Sequence, residues 1–342
     1  MSRPGSETPL LRVRGLEVSY RVGVRRHMAA VRGIDLDVRA GEVVALVGES
    51  GSGKSSAARG ILQLTRPSAG TVELSGQELT AIRGRELRRA RRDAQMVFQD
   101  PYSSLDPSMT IGEAIAEPLV VHTRDRGDER RRKVVEMLER VGLHAHHADR
   151  YPHEFSGGQR QRIAIARALV LRPRLLVADE SVSALDVSSQ NQVLSLLSEL
   201  IADLGLACLF ITHDLAVVRS VADRVAVMYL GTLVEQAPTE ELFAAPRHPY
   251  TAALLSAALV ADPRIQRTRE RIRLSGELPD PRHPPTGCAF AGRCPYAAEV
   301  CGDVPALRAL DDGRAVACHR AEEVVVELGA SALRTTTITR ER

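Results

Sequence analysis

The chain has 342 residues, 44% hydrophobic and 26% charged, with Lys+Arg of 46 against Asp+Glu of 43 and no tryptophan. That length exceeds one average domain, so one large α/β domain with an appendage is expected, with ample sequence to bury a core. A net charge of +3 is too small to mark the whole molecule as a nucleic-acid binder. The longest apolar runs, Ala207 to Thr212 and Val225 to Leu230, fall far short of the ~20 residues of a membrane-spanning helix, and Asp or Arg lies beside each. The opening MSRPGSETPL lacks the apolar core of a secretory signal, which predicts a cytoplasmic setting with reduced thiols.

Residues 11 to 47 alternate short apolar runs with turn residues and end in GEVVALVG, whose Val/Ala/Leu run between glycines predicts a buried strand with a helix after it. TVELSG and AQMVFQ, between about 70 and 98, read as strands. The basic stretch RGRELRRARR at 83 to 92 separates them; phosphate or lipid binding is open to it, but its composition favours a solvated helical face. Residues 112 to 150 read as helical, with a second charged block, TRDRGDERRRK at 123 to 133, ahead of the amphipathic VVEMLERVGL. After Ser156, QRQRIAIARALVLRP carries apolar residues at helical spacing and stops at Pro173. LLVADE (175 to 180) and LACLFITHD (206 to 214) are two more buried strands, the second holding Cys208, with the helix-like QNQVLSLLSELIADLG between them. Strands alternating with helices imply a mostly parallel sheet covered by helices. Beyond HPYTAALLSAAL (248 to 259) the sequence turns Pro- and Arg-rich, placing a boundary near 260, and the final ELGASALRTTTITRER shows no period.

Gly48-Glu49-Ser50-Gly51-Ser52-Gly53-Lys54-Ser55 matches the phosphate-loop pattern GxxxxGK[ST], with the strand and helix that it requires on either side. Glycines let such a loop wrap closely around phosphate, while backbone N–H groups and the helix N-terminus face the negative charge. Lys54 then reaches the terminal phosphates, and Ser55 ligates Mg²⁺. In LLVADE the apolar residues bury the strand and Asp179 emerges at its carboxyl end to hold Mg²⁺ through water. A carboxylate in the next position can orient and deprotonate an attacking water, so Glu180 is assigned as general base.

Ser156-Gly157-Gly158-Gln159, within EFSGGQRQRIAIARAL, has no role in a generic phosphate-loop fold. Here the chain resembles the ABC ATPase family, whose signature is LSGGQ; Phe155 stands in place of the Leu. The resemblance implies a P-loop NTPase ABC nucleotide-binding domain: a RecA-like parallel-sheet core, an antiparallel β subdomain and a helical signature subdomain. The domain would span residues 1–260, its helical part about 100–172, followed by a small Cys-containing region at 261–325 and a flexible tail at 326–342. Small residues at a helix N-terminus would make a second phosphate site, aimed at the ATP of another subunit, so two chains are needed for complete sites. Other positions match in the family's order. Tyr20 falls at the aromatic adenine-stacking position, and Gly48, Ser50, Gly51, Ser52, Gly53, Lys54, Ser55 and Ser56 form the ATP-binding set. Gln99 matches the glutamine that contacts Mg²⁺ and the lytic water and communicates with the transmembrane partner. Ser183-Ala184-Leu185-Asp186 places Asp186 at the dimer interface, and His213 matches the histidine that contacts the γ-phosphate.

FQDPYSSLDPSMTIGEAIAEPL, YPHEFSGGQRQR, MYLGTLVEQAPTEELFAAPRHPYTAALLSA and GELPDPRHPPTGCAF…RCP are similar to the ATPase subunits of oligopeptide and dipeptide importers, over roughly residues 10 to 320. The first of these looks more like the second of the two ATPase subunits that such importers carry. This resemblance implies a peripheral protein on the cytoplasmic face of the membrane. Its partners would be a paralogous ATPase subunit, two transmembrane permease subunits and an extracellular solute-binding protein, with no nucleic acid. Import of nickel, glutathione or a sugar, an exporter, and a soluble ABC ATPase of DNA repair or translation are the alternatives.

Cys288, Cys294, Cys301 and Cys318 follow a C-x5-C-x6-C-x16-C spacing, with His319 beside the last. Four gathered thiols point to metal. Zinc sites usually show paired CxxC knuckles, which are absent here, and the importer resemblance implies a [4Fe–4S] cluster instead; zinc and unliganded thiols are the alternatives.

Overall fold

The computed structural model describes residues 8–23, 26–100, 104–181, 185–257, 272, 274, 276, 279–280, 282–310 and 313–323. The chain opens with β1 (Leu11–Val22), β2 (Arg26–Val38), β3 (Val43–Val47), α1 (Lys54–Ile61), β4 (Ala69–Leu74), β5 (Gln77–Glu78), α2 (Gly84–Ala90) and β6 (Ala94–Val97). Three helices follow, α3 (Ile111–His122), α4 (Gly127–Arg140) and α5 (Gly157–Leu169), and then β7 (Leu175–Asp179), α6 (Val187–Leu204) and β8 (Ala207–Thr212). The described remainder holds α7 (Leu215–Val221), β9 (Arg224–Tyr229), β10 (Thr232–Pro238), α8 (Thr239–Ala244), α9 (Pro249–Ala257), β11 (Arg308–Ala309) and β12 (Ala315–Val316). These residues form two compact units: Met1–Leu16, Asp35–Val43 and Ser55–Thr212 in the first, and Glu17–Ile34, Val44–Lys54 and His213–Arg342 in the second.

In the first unit β6, β7 and β8 form a parallel ladder, with Val97 opposite Ala178 and Asp179 opposite Ile211. Every residue of β7 and β8 is buried, as continuous apolar runs require in a sheet covered on both faces. Cys208 is fully enclosed and burial pushes its thiol up to about 12, so it serves packing. The start of β1 and the end of β2 join β4 and β5 in a separate sheet of order β2-β1-β4-β5.

The helical stretch expected over 112 to 150 divides into α3, α4 and short 3-10 turns. A capping box opens α3, with Glu113 N–H donating to Thr110 Oγ1 and Thr110 N–H to the Glu113 carboxylate. At its end the Thr123 hydroxyl donates to the Leu119 carbonyl at 2.8 Å. Helix α4 buries Val134, Met137 and Leu138, positions one turn apart, while Lys133 pairs with Asp125 at 2.6 Å. The basic run at 83 to 92 lies largely on α2, with Arg85, Arg88 and Arg89 exposed, so a solvated face is what it provides.

In the second unit β3 runs parallel to β9, with Val47 opposite Val227. The hairpin β9–β10, which the sequence reading did not anticipate, turns through Leu230 and Gly231 at φ of 42° and 84°, the left-handed geometry of a two-residue turn. On its far side β10 pairs with β12, Glu235 opposite Val316. Tyr229, Tyr250 and Phe290 are buried together with ring centroids 4.6 to 5.5 Å apart, tying the cysteine-bearing segment into this unit's core. Among the described residues no helix is long and apolar enough to cross a membrane.

Glu235 is wholly buried at the irregular point of β10, where its carboxylate accepts the N–H groups of Arg247 at 2.7 Å and His248 at 2.9 Å. Burial raises its pKa. His248 Nδ1 accepts the Tyr250 N–H at 3.1 Å, and burial drives the ring's pKa from 6.5 down to about 3. The folded protein therefore keeps this ring neutral, while the unfolded chain takes up a proton below about 6.5. Its contribution to stability is complete above that pH and is lost as pH falls toward 3. Between pH 7 and pH 5 denaturant unfolding of the native protein should lose on the order of 1–2 kcal/mol more than that of His248→Gln; equal losses would exclude this ring as the group that titrates.

Candidate functional site

The loop after β3 runs so close to neighbouring backbone that side chains are excluded at two of its glycines. A Cβ on Gly48 would stand 2.2 Å from the Met228 carbonyl oxygen, and one on Gly53, at φ +107°, 2.3 Å from that of Ala30. Lys54 is buried, its Nζ donating to the carbonyls of Gly48 at 2.9 Å and Glu49 at 3.0 Å. The Ser52 hydroxyl is buried with no hydrogen-bond partner, an unmet group that a phosphate oxygen would satisfy. Ser50 and Gly51 lie exposed, and Ser56 is partly buried on α1. Tyr20, near the end of β1, is half-buried, and His213, directly after β8, is exposed. Anion binding suits a loop of this shape opening onto a helix N-terminus.

In the first unit Ser55 Oγ, adjacent in the chain to Lys54, donates to Asp179 Oδ1 at 3.0 Å. A hydroxyl and a carboxylate so placed supply the oxygen ligands that Mg²⁺ prefers. Asp179 is buried at the end of β7. Glu180, the next residue, is held at φ 44° with its N–H donating to the Ile211 carbonyl at 2.9 Å. A left-handed Glu stores strain of about 1–3 kcal/mol, and such strain collects where a side chain must be aimed. Gln99 Nε2 donates to Glu180 Oε2 at 2.8 Å. Four of the expected residues thus fall into two hydrogen-bonded pairs.

Ser156 is the N-cap of α5. Its Oγ accepts the Gln159 N–H at 3.3 Å, and its own N–H donates to Gln159 Oε1 at 3.0 Å. Phe155 is buried, which is what an apolar residue in place of Leu needs. A cavity of about 520 Å³ opens beside Ser156, Gly158 and Gln159, with Arg162 and Gln192 on its wall. Asp186 caps α6, accepting the Ser189 N–H at 3.0 Å, and that bond holds its carboxyl below the usual range. Ser183 and Ala184 lie outside the described residues.

Cys288, Cys294, Cys301 and Cys318 are all partly buried. Cys288 N–H donates to the Cys301 carbonyl at 2.9 Å, and burial, helped by the neighbouring sulfurs of Cys318, Cys288 and Cys301, pushes the Cys294 thiol up to about 11. The four sulfurs share one neighbourhood. Among the described residues, however, no three His, Cys, Asp or Glu side chains are grouped as a metal ion requires. A single shared ion such as zinc therefore draws no support from this arrangement.

A buried strand, a glycine-rich loop and a helix N-terminus, followed by a parallel strand that delivers an acidic pair, define a P-loop nucleotide-binding fold. A family model described as ABC transporter matches residues 31–183, and one described as oligopeptide/dipeptide transporter, C-terminal region, matches residues 234–301. The di/tripeptide transport ATP-binding protein DppF of Pseudomonas aeruginosa (strain UCBPP-PA14) is 52% identical over 297 residues, 86% of this chain and 90% of that protein. The putative oligopeptide transport ATP-binding protein YkfD of Bacillus subtilis (strain 168) is 49% identical over 313 residues, 91% of this chain and 95% of that one. Among solved structures, the dimeric post-hydrolysis state of the ATP-binding cassette MJ0796 bound to ADP and Pi has a TM-score of 0.61 at 31% identity, covering 67% of this chain and 98% of that chain. CbiO1 from Clostridium perfringens, part of an ABC transporter complex, has a TM-score of 0.62 at 31% identity over 70% of this chain and 92% of its own. The chain belongs to the ABC transporter ATP-binding proteins, in the branch that carries the oligopeptide/dipeptide transporter C-terminal region.

Sequence reasoning did not reach the residues that hold the phosphate loop from outside it, Tyr250 and Arg293. Both contact Glu49, a variable position of the loop pattern, so no motif marks them. Ser156→Ala removes one half of the capping box at α5 and should lower unfolding stability by about 1 kcal/mol, read as a shift in the denaturation midpoint; no shift would show that the cap is dispensable.

Proposed function

We propose that this chain is the ATP-hydrolysing subunit that powers uptake of oligopeptides or dipeptides through a membrane-bound ABC importer. The observation that carries the reading is the pair of contacts Ser55–Asp179 and Gln99–Glu180, with Glu180 in a strained backbone conformation. Gly48, Ser50, Gly51, Ser52, Gly53, Lys54, Ser55 and Ser56 hold the phosphates, and Tyr20 stacks on the adenine. Ser55, Asp179 and Gln99 would hold Mg²⁺, which would supply positive charge to neutralise the phosphates. Glu180 takes a proton from the attacking water, Gln99 orients that water, His213 contacts the γ-phosphate, and Lys54 balances charge on the transferred group as the bond to ADP breaks.

In this reading Ser156, Gly157, Gly158 and Gln159 close over the ATP of a second, paralogous subunit, with Asp186 at the interface. Closure drives two transmembrane permease subunits from the cytoplasmic face, and a solute-binding protein delivers the cargo. Residues 1–260 form the nucleotide-binding domain, its helical part about 100–172, and residues 261–325 the importer-type region; the tail 326–342 lies outside the described residues. The peptide transport names of the relatives favour peptides over nickel, glutathione or sugar.

The proposal extends to Cys288, Cys294, Cys301 and Cys318 as ligands of a [4Fe–4S] cluster. Four sulfurs in one neighbourhood suit a group that offers each thiolate its own iron rather than one shared ion. Anaerobic purification should yield about four irons and four sulfides per chain; a colourless, zinc-loaded protein would overturn this assignment.

Glu180→Gln should keep ATP binding and dimerisation while turnover falls at least about 100-fold, measured as phosphate release by the assembled complex. Near-normal hydrolysis would sink the assignment of the base. In liposomes holding the complex and its binding protein, di- or oligopeptides should stimulate ATPase activity; stimulation by nickel, glutathione or a sugar alone would replace the peptide reading.

A further inference from the structure

Glu49 has each of its polar groups engaged. Its N–H donates to Tyr250 Oη at 2.8 Å, and its carbonyl accepts Lys54 Nζ at 3.0 Å and the Ser52 N–H at 3.1 Å. Its carboxylate accepts Arg293 Nη1 at 2.9 Å and Nη2 at 3.3 Å, a two-pronged ion pair. Arg293 is 12% exposed and Glu49 29%, so water screens the pair less than it would on an open surface. The Glu49 carboxylate in turn holds the guanidinium firmly protonated. Arg293 ends a 3-10 turn, Ala291–Arg293, and directly precedes Cys294. Phe290, one residue before that turn, packs edge-on against Tyr229 and tilted against Tyr250. All of these residues belong to the second unit.

We propose that Arg293 is a positioning residue for ATP: by gripping Glu49 it holds the phosphate loop ready for phosphate, and it makes nucleotide affinity depend on the cysteine-bearing segment. The inference rests on the ATP-binding reading above and deepens it. Two effects act in the same direction. Fixing the Glu49 side chain fixes the carbonyl that steers Lys54, so less loop freedom is lost when nucleotide arrives. Pairing also cancels a negative charge that would otherwise face the polyphosphate, which matters because a lone carboxylate there repels ATP. Lysine cannot reproduce the grip, since it lacks the planar two-pronged donor.

The charge effect separates this role from mere packing. Arg293→Met, which keeps an apolar stem and leaves Glu49 unpaired, should raise the Kd for ATP in the full-length subunit about five- to tenfold. Adding Glu49→Gln removes the stranded charge and should bring the Kd back to within about threefold of the native value. In the assembled transporter the KM for ATP should rise by a larger factor than kcat falls. If Arg293→Met does not fold, Arg293→Lys carries the test, with an expected rise of about two- to threefold. An unchanged Kd in a folded variant, or a double variant weaker than Arg293→Met, overturns the proposal. Lys54→Ala distinguishes the two levels. If the native chain binds ATP, Lys54→Ala does not and Arg293→Met is indifferent, only this inference fails. If the native chain binds no ATP, the reading beneath it fails as well, and this inference with it.

Discussion

The want of space around the phosphate loop is the constraint from which the rest of the second unit follows. The Gly48 and Gly53 positions lie so near the carbonyls of Met228 and Ala30 that only hydrogen fits. Such closeness requires β3 and β9 to run side by side, and β9 in turn needs its hairpin partner β10. Glu235 on β10 collects the N–H groups that open the approach to α9, and α9 supplies Tyr250, whose hydroxyl returns to the loop at Glu49. A chain of contacts that ends where it began leaves the loop few alternative shapes.

The first unit meets a different requirement, since it must place carboxylates at the end of a wholly buried strand. Asp179 is satisfied by Ser55 and Glu180 by Gln99, so neither acid is left to desolvation alone. The left-handed backbone at Glu180 is kept by its N–H bond to Ile211 across the parallel ladder. At the start of α5 the signature residues satisfy one another through the capping box, which preforms the helix end without any ligand.

Much of this was legible in the amino-acid order. Phosphate-loop spacing, the acidic pair after LLVAD and the Ser-Gly-Gly-Gln at a helix start are local patterns, and each reflects a local demand: close backbone approach, an aimed carboxylate, a capped terminus. The buried strands β3, β7 and β8 were legible for the same reason, as uninterrupted apolar runs. Less legible was β10, whose TLVEQAP interrupts its apolar residues with a buried Glu that only long-range N–H donors make tolerable. The cysteine spacing suggested metal, yet spacing along the chain says nothing of how far apart the sulfurs stand once folded.

The sequence by itself determined the class of fold, the nucleotide chemistry and the family, because those rest on residues adjacent or regularly spaced along the chain. Only the tertiary structure decided that Arg293, 244 residues beyond Glu49, closes on the phosphate loop, and that Tyr250 does so from another element. Contacts between distant segments depend on register and packing rather than on local pattern. An arginine and a glutamate so far apart in sequence carry no sign of their pairing until the core of Tyr229, Tyr250 and Phe290 brings them together.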